Sequence, residues 1–65
     1  MRKEELKGKW NQVKGGIKEK WGQLSDDTLL EIDGNYEQLV GTLQELYGIT
    51  KEEAEKQVNE VLDLN

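Results

Sequence analysis

Apolar residues recur in this chain at gaps of three and four, in blocks interrupted by glycine or by a turn-forming run, and that spacing constrains the fold more than any other feature. Leu6, Trp10, Val13, Ile17, Trp21 and Leu24 form the first block. Such gaps keep side chains on one face of an α-helix. The block predicts a helix over 3–22, closed at Gly22, a residue suited to the left-handed terminating position. Ser25-Asp26-Asp27-Thr28 then supplies an N-cap, Ser25, and early acids that favour the positive end of a second helix. This helix, over 26–32, carries Leu29, Leu30 and Ile32 and stops at the turn residues Asp33-Gly34-Asn35.

Tyr36, Leu39, Val40, Leu43, Leu46 and Tyr47 predict a third helix over 35–47, ending at Gly48. Thr50-Lys51-Glu52-Glu53 reads as a capping box, in which Thr50 accepts from the third backbone N–H and Glu53 reaches back. It opens a fourth helix over 51–63 that turns Ala54, Val58, Val61 and Leu62 inward. Connections this short imply neighbouring helices packed as hairpins. The expected fold class is all-α: four short helices as two helical hairpins packed at a steep angle.

The two hairpins also resemble each other. Aligning Trp10 with Tyr36 places Gln12 on Gln38, Val13 on Leu39, Gly15 on Gly41, Ile17 on Leu43, Glu19 on Glu45, Trp21 on Tyr47 and Gly22 on Gly48. Both stretches then run into a capped acidic segment. An internal repeat of about 10–27 and 36–53 within a single domain, 1–65, accounts for this better than chance, because helical periodicity alone does not demand matched glycines.

A chain of 65 residues buries only about 60% of its unfolded surface, so its core is small. With no Phe and 35% charged residues, the aromatics must supply much of the buried area. The expected core is Trp10, Val13, Ile17, Trp21, Tyr36, Leu39, Leu43, Tyr47 and Val58. Glycine inside a helix costs roughly 1 kcal/mol relative to Ala. Close helix packing is the expected reason for Gly15 and Gly41; the spacing offers no reason for Gly8 and Gly16.

Enzyme chemistry has little to work with. There is no His and no Cys, so the usual base near neutral pH and the thiol nucleophile are missing. Ser25, the only serine, reads as a cap. The pairs Asp26/Asp27 and Glu52/Glu53 sit in first helical turns, where acids complement the dipole. No catalytic residue, cofactor or metal is expected. The start of the chain leads into no long apolar run, and no stretch nears the roughly 20 apolar residues of a spanning helix, so a cytoplasmic location is expected.

Charge is unevenly divided. Residues 1–24 hold seven of the nine Lys/Arg against Glu4, Glu5 and Glu19, a net of +4; residues 25–65 hold Lys51 and Lys56 against eleven acids, a net of −9. Mutual attraction of the two halves is the favoured reading, and an interaction arm is the other. On a helical wheel Lys3, Lys7, Lys14 and Lys18 flank one side of the apolar stripe that holds Trp10 and Trp21, and Lys9 and Lys20 flank the other. That layout suits a helix packed in a core with lysines at its border. It also suits an anionic membrane surface, since the stems bury while the charges meet headgroups. A DNA-binding hairpin at Tyr47-Gly48-Ile49-Thr50 is disfavoured, because Thr50 stands where a second glycine is needed and Glu52 and Glu53 would face the phosphate. A monomer is expected, with a protein or an anionic membrane as partner and nucleic acid disfavoured.

Gly8-x-Trp10-x-Gln12-x-Lys14-Gly15, Trp21-Gly22-x-Leu24-Ser25-Asp26-Asp27 and Ile32-Asp33-Gly34 resemble the CsbD-like family of bacterial stress proteins. Gln38-Leu39-Val40-Gly41, Leu43-Gln44, Tyr47-Gly48 and Ala54-Glu55-Lys56 continue the match, with Ser25 where Thr is expected, a neutral exchange at a cap. The resemblance implies a small helical domain that accumulates under general, osmotic or stationary-phase stress. It carries over no catalytic or ligand residue.

Overall fold

The computed structural model describes residues 1–64, which form four helices and, among those residues, no strand. A 3-10 turn over Lys3–Glu5 leads into α1, Leu6–Lys20; α2 is Asp26–Ile32, α3 is Tyr36–Tyr47 and α4 is Lys51–Leu62. Three N-caps start the last three helices. Ser25 Oγ accepts from the Thr28 N–H at 3.1 Å, Asn35 Oδ1 from Gln38 at 3.0 Å and Thr50 Oγ1 from Glu53 at 3.1 Å. Each satisfies one of the orphan donors of its helix. The reciprocal half of the expected capping box does not form: the Glu53 carboxylate instead accepts from the Gln57 amide at 3.2 Å, one turn on.

The helices end in different ways. Gly48 takes the left-handed conformation (φ 63°), as the sequence predicts, and so do Asp33 and Asp63. At α4 the Leu64 N–H reaches the Asn59 carbonyl at 2.9 Å, a Schellman closure, and Leu64 packs on the core. Gly22 does not terminate α1. The helix stops two residues earlier, and Trp21 leaves it in an extended-like conformation (φ −119°, ψ 82°) while its N–H still bonds to Ile17. The indole is needed in the core, and that requirement sets the exit.

The core joins all four helices: Leu6, Trp10 and Ile17 from α1, Trp21 and Leu24 from the turn after it, Leu29 and Ile32 from α2, Tyr36, Leu39, Val40 and Leu43 from α3, and Ala54, Val58 and Leu62 from α4. Val13 and Tyr47, expected inside, lie half-buried at its margin. Val61, expected to face inward, is exposed, because the neighbouring Leu62 takes the inward position. α3 and α4 make the closest helix pair, and α1 rests on α4; α1 and α2 approach each other much less closely.

The glycine expectation is overturned. A Cβ added at Gly15 or Gly41 would meet nothing within 4 Å, so neither permits close helix packing; the same holds for Gly8 and Gly16, whose presence nothing in the structure explains. The close approach is at Gly34 (φ 82°). There a Cβ would overlap the Lys7 Cα and stand 3.1 Å from the Leu6 carbonyl oxygen, so the α2–α3 joint sits directly on the start of α1.

Candidate functional site

The four aromatic side chains bind the helices together in matched pairs. Trp10 Nε1 donates to the Leu29 carbonyl in α2 at 3.0 Å, and its counterpart Tyr36 donates from its hydroxyl to Asn59 Oδ1 in α4 at 2.8 Å. Each thus ties the first helix of its half to the second. Trp21 Nε1 donates to Gln57 Oε1 in α4 at 3.2 Å, while the counterpart Tyr47 hydroxyl accepts from the Gln23 N–H at 3.3 Å. Those two each reach across to the other half. With Trp10 at 4% and Trp21 at 3% exposure, the indoles belong to the core and are not part of an exposed α1 face.

The lysines of α1 remain outside, in varied company. Lys3 lies over the Tyr36 ring, its Nζ 4.4 Å from the centroid. Lys7 is exposed beside the Gly34 contact. Lys14 is half-buried, and Lys18 donates to Asp26 Oδ1 at 2.6 Å. That hydrogen bond, with the Lys18 and Lys14 charges, holds the Asp26 carboxyl below the ordinary carboxylate range. Tyr36 is shifted the other way: burial and the charge of Glu55 raise its hydroxyl, against the opposing bond to Asn59.

Lys14, Gly15 and Lys18 of α1 face Asp26, Leu29 and Leu30 of α2 across an open cleft of about 230 Å³ whose lining is mostly apolar. Leu30 stands at its mouth, 66% exposed. Gly15 contributes only backbone to the wall, and a Cβ there would stand in open space. Two basic groups, one acid and an exposed leucine around an apolar hollow are suited to holding an apolar side chain that carries negative charge beside it.

The expected attraction between the basic residues 1–24 and the acidic residues 25–64 takes little form as contact ion pairs. Among the described residues Lys18–Asp26 joins α1 to α2 and Lys9–Glu5 at 3.9 Å joins α1 to the turn before it, while none joins α1 to α3 or α4. Basic α1 and the acidic α3–α4 hairpin therefore present their charge to solvent. No group of three or more potential ligand side chains able to hold a metal occurs among the described residues, and none of their helices is long and apolar enough to cross a membrane.

The sequence profile of the CsbD-like family matches residues 4–56. This chain belongs to that family. Similar CsbD-like relatives are bacterial. The UPF0337 protein PA4738 of Pseudomonas aeruginosa is 52% identical over 63 residues, covering 97% of each chain. The UPF0337 protein pc0632 of Protochlamydia amoebophila is 49% identical over 63 residues, covering 97% of this chain and 96% of the relative. The UPF0337 protein YjbJ of Escherichia coli K12 is 52% identical over 58 residues, covering 89% and 84%. No solved structure matches the chain.

Three features of the site escape a reading of the sequence. Asn35, three residues before Gln38, carries the usual N-cap signal but reads equally as part of the Asp33-Gly34-Asn35 turn. The Gly34 approach to Lys7 joins distant segments and leaves no local signature. The cleft arises because α2 is short and stands off from α1, which periodicity does not report.

Proposed function

We propose that this CsbD-like protein is a small cytoplasmic stress-response protein that acts without catalysis, through weak and transient protein contacts made at the α1–α2 cleft. Membership of the family supports the stress setting. The observation that carries the contact reading is the cleft itself, with Leu30 exposed at its mouth and Lys14 and Lys18 at its rim. An open hollow of this size accepts one side chain and excludes little water, which favours brief, low-affinity contacts over tight recognition.

A photoreactive residue placed at position 30 in stressed cells tests this reading. Crosslinks to several proteins, lost when the photoreactive residue is moved to the exposed position 12, are the expected result. A single partner held at nanomolar affinity, or no crosslinks from position 30, would sink it.

A membrane-surface role has the exposed α1 lysines in its favour, but it requires Trp10 and Trp21 to leave the core. Titration with anionic and neutral vesicles decides between the two. Unchanged tryptophan emission and far-UV signal favour the protein contact; a blue shift specific to anionic lipid, lost on replacing Lys7, Lys14 and Lys18 by Gln, favours the membrane. Binding to duplex DNA is disfavoured by the exposed acids Asp26, Asp27, Glu52 and Glu53 in the first turns of α2 and α4.

A further inference from the structure

We propose that the cleft between α1 and α2 receives the acidic end of α4 from a second copy of this chain, so that copies associate weakly head to tail. The inference rests on the reading of the cleft as a contact surface and names one occupant for it.

Both halves of the contact are present on one molecule. The cleft offers an apolar hollow, an exposed Leu30 and the ammonium group of Lys14, with Lys18 beside it already paired to Asp26. The end of α4 offers the complement. Val61 is an exposed apolar side chain, 38% accessible, with exposed Glu60 on the adjoining face of the helix and exposed Asp63 at its end. A single exposed leucine is ordinary on a soluble protein. One at the mouth of an apolar hollow whose wall is a helical glycine is less so, since Ala at Gly15 would strengthen the helix and nothing in the structure resists it.

The two surfaces cannot meet within one molecule. The Asp63 backbone carbonyl accepts from the amino group of Met1 at 3.1 Å, which places the end of α4 near the start of the chain. Lys14 and Lys18 lie eight and twelve residues beyond Leu6, roughly 12–18 Å along the helix axis at 1.5 Å per residue. Patch and cleft are thus displaced along α1, and the contact is of the pocket-to-patch kind that joins successive copies without closing on itself. Charge favours it locally, because the lysines of α1 and the acids of α4 are mostly without partners inside the molecule.

The association is weak. A standard interface takes about 800 Å² from each partner, a large share of the 4321 Å² that this molecule exposes, and one side chain in an open hollow covers far less. A net charge of −5 adds long-range repulsion between copies. The contact therefore becomes populated only where the protein is concentrated.

Sedimentation of the full chain from micromolar to millimolar concentration tests this, with far-UV circular dichroism to verify that each variant is folded. The expected result is a weight-average mass rising above 7.5 kDa toward the millimolar end. Leu30→Ser, Val61→Ser, Lys14→Glu and Glu60→Lys each weaken the association about tenfold. Glu60→Lys weakens it even though it lowers the net charge, and combining it with Lys14→Glu in one chain restores it. Lys20→Glu changes net charge as Lys14→Glu does, on the opposite flank, and leaves the association within about twofold. A mass constant up to millimolar concentration overturns the proposal. So does association that needs Leu30 but is indifferent to Val61 and Glu60. Crosslinking of other proteins from position 30 is read separately, so either idea can fail while the other stands.

Discussion

The helices α3 and α4 lie close along each other, whereas α1 and α2 stand further apart across a cleft, although the two halves share their aromatic and glycine landmarks. Two local differences account for this. The second half turns at a left-handed Gly48 and reaches its cap, Thr50, two residues later; the first leaves its helix through Trp21, keeps Gly22 out of the left-handed region and needs one more residue to reach Ser25. Moreover, α4 has 12 residues to set against the 12 of α3, while α2 has 7 against the 15 of α1. A short second helix cannot cover a long first one. Helices of matched length thus lie close along each other, while the unmatched pair leaves an open, charged hollow.

The largest expected effect comes from cutting the tie between the halves. Trp21→Ala removes a buried indole and its bond to Gln57, and is expected to cost about 3–5 kcal/mol; far-UV melting should find the chain largely unfolded, and an unchanged midpoint would remove Trp21 from the core. Gly34→Ala comes next. It sets a Cβ against the Lys7 backbone and strains a left-handed residue, which together cost about 3 kcal/mol. Since this contact sets the joint between α2 and α3 on the start of α1, loss of Trp emission intensity before loss of helicity in the melt would sharpen the contrast between the halves, and a wild-type melting curve would refute the close approach.

Smaller effects have the opposite sign. Gly15→Ala and Gly41→Ala meet open space and are expected to stabilise by about 0.5–1 kcal/mol each, a rise of several degrees in midpoint for a domain this small. Destabilisation by Gly41→Ala would reinstate close packing at that helix. The pH effect is smallest. Because the folded-state pKa of Asp26 is depressed, its pair with Lys18 contributes stability above the ordinary aspartate range and loses it as pH falls through the folded value. Wild type and Asp26→Asn should therefore converge in midpoint on acidification, and parallel curves would show that the pair contributes nothing.

Helix number, order and approximate bounds were legible because the apolar spacing, Ser25, Thr50 and Gly48 are local signals that tertiary structure has no cause to override. The misreadings have one physical origin. Gly22, Gly15 and Gly41 show only what glycine permits, whereas the structure uses that permission at Gly48, to end a helix, and at Gly34, where another segment comes close. Val13 and Tyr47 sit at the margin because periodicity gives the face and not the depth of burial. Charge follows the same rule: a net of +4 beside a net of −9 says nothing about which carboxylates lie within reach of which lysines, and among the described residues the one contact pair between residues 1–24 and 25–64 is Lys18–Asp26, between α1 and α2. The cleft needed the third dimension altogether.

The matched hydrogen bonds of the aromatics have an experimental consequence. Both indoles belong to the first half and both phenols to the second, so tryptophan emission reports on α1 and the turn after it while tyrosine absorbance reports on α3. Trp10 and Tyr36 bond within their own halves, while Trp21 and Tyr47 also feel the tie between the two. Coincident transitions from the two signals would identify a single cooperative unit, and separated ones would show the first half loosening while the second still holds.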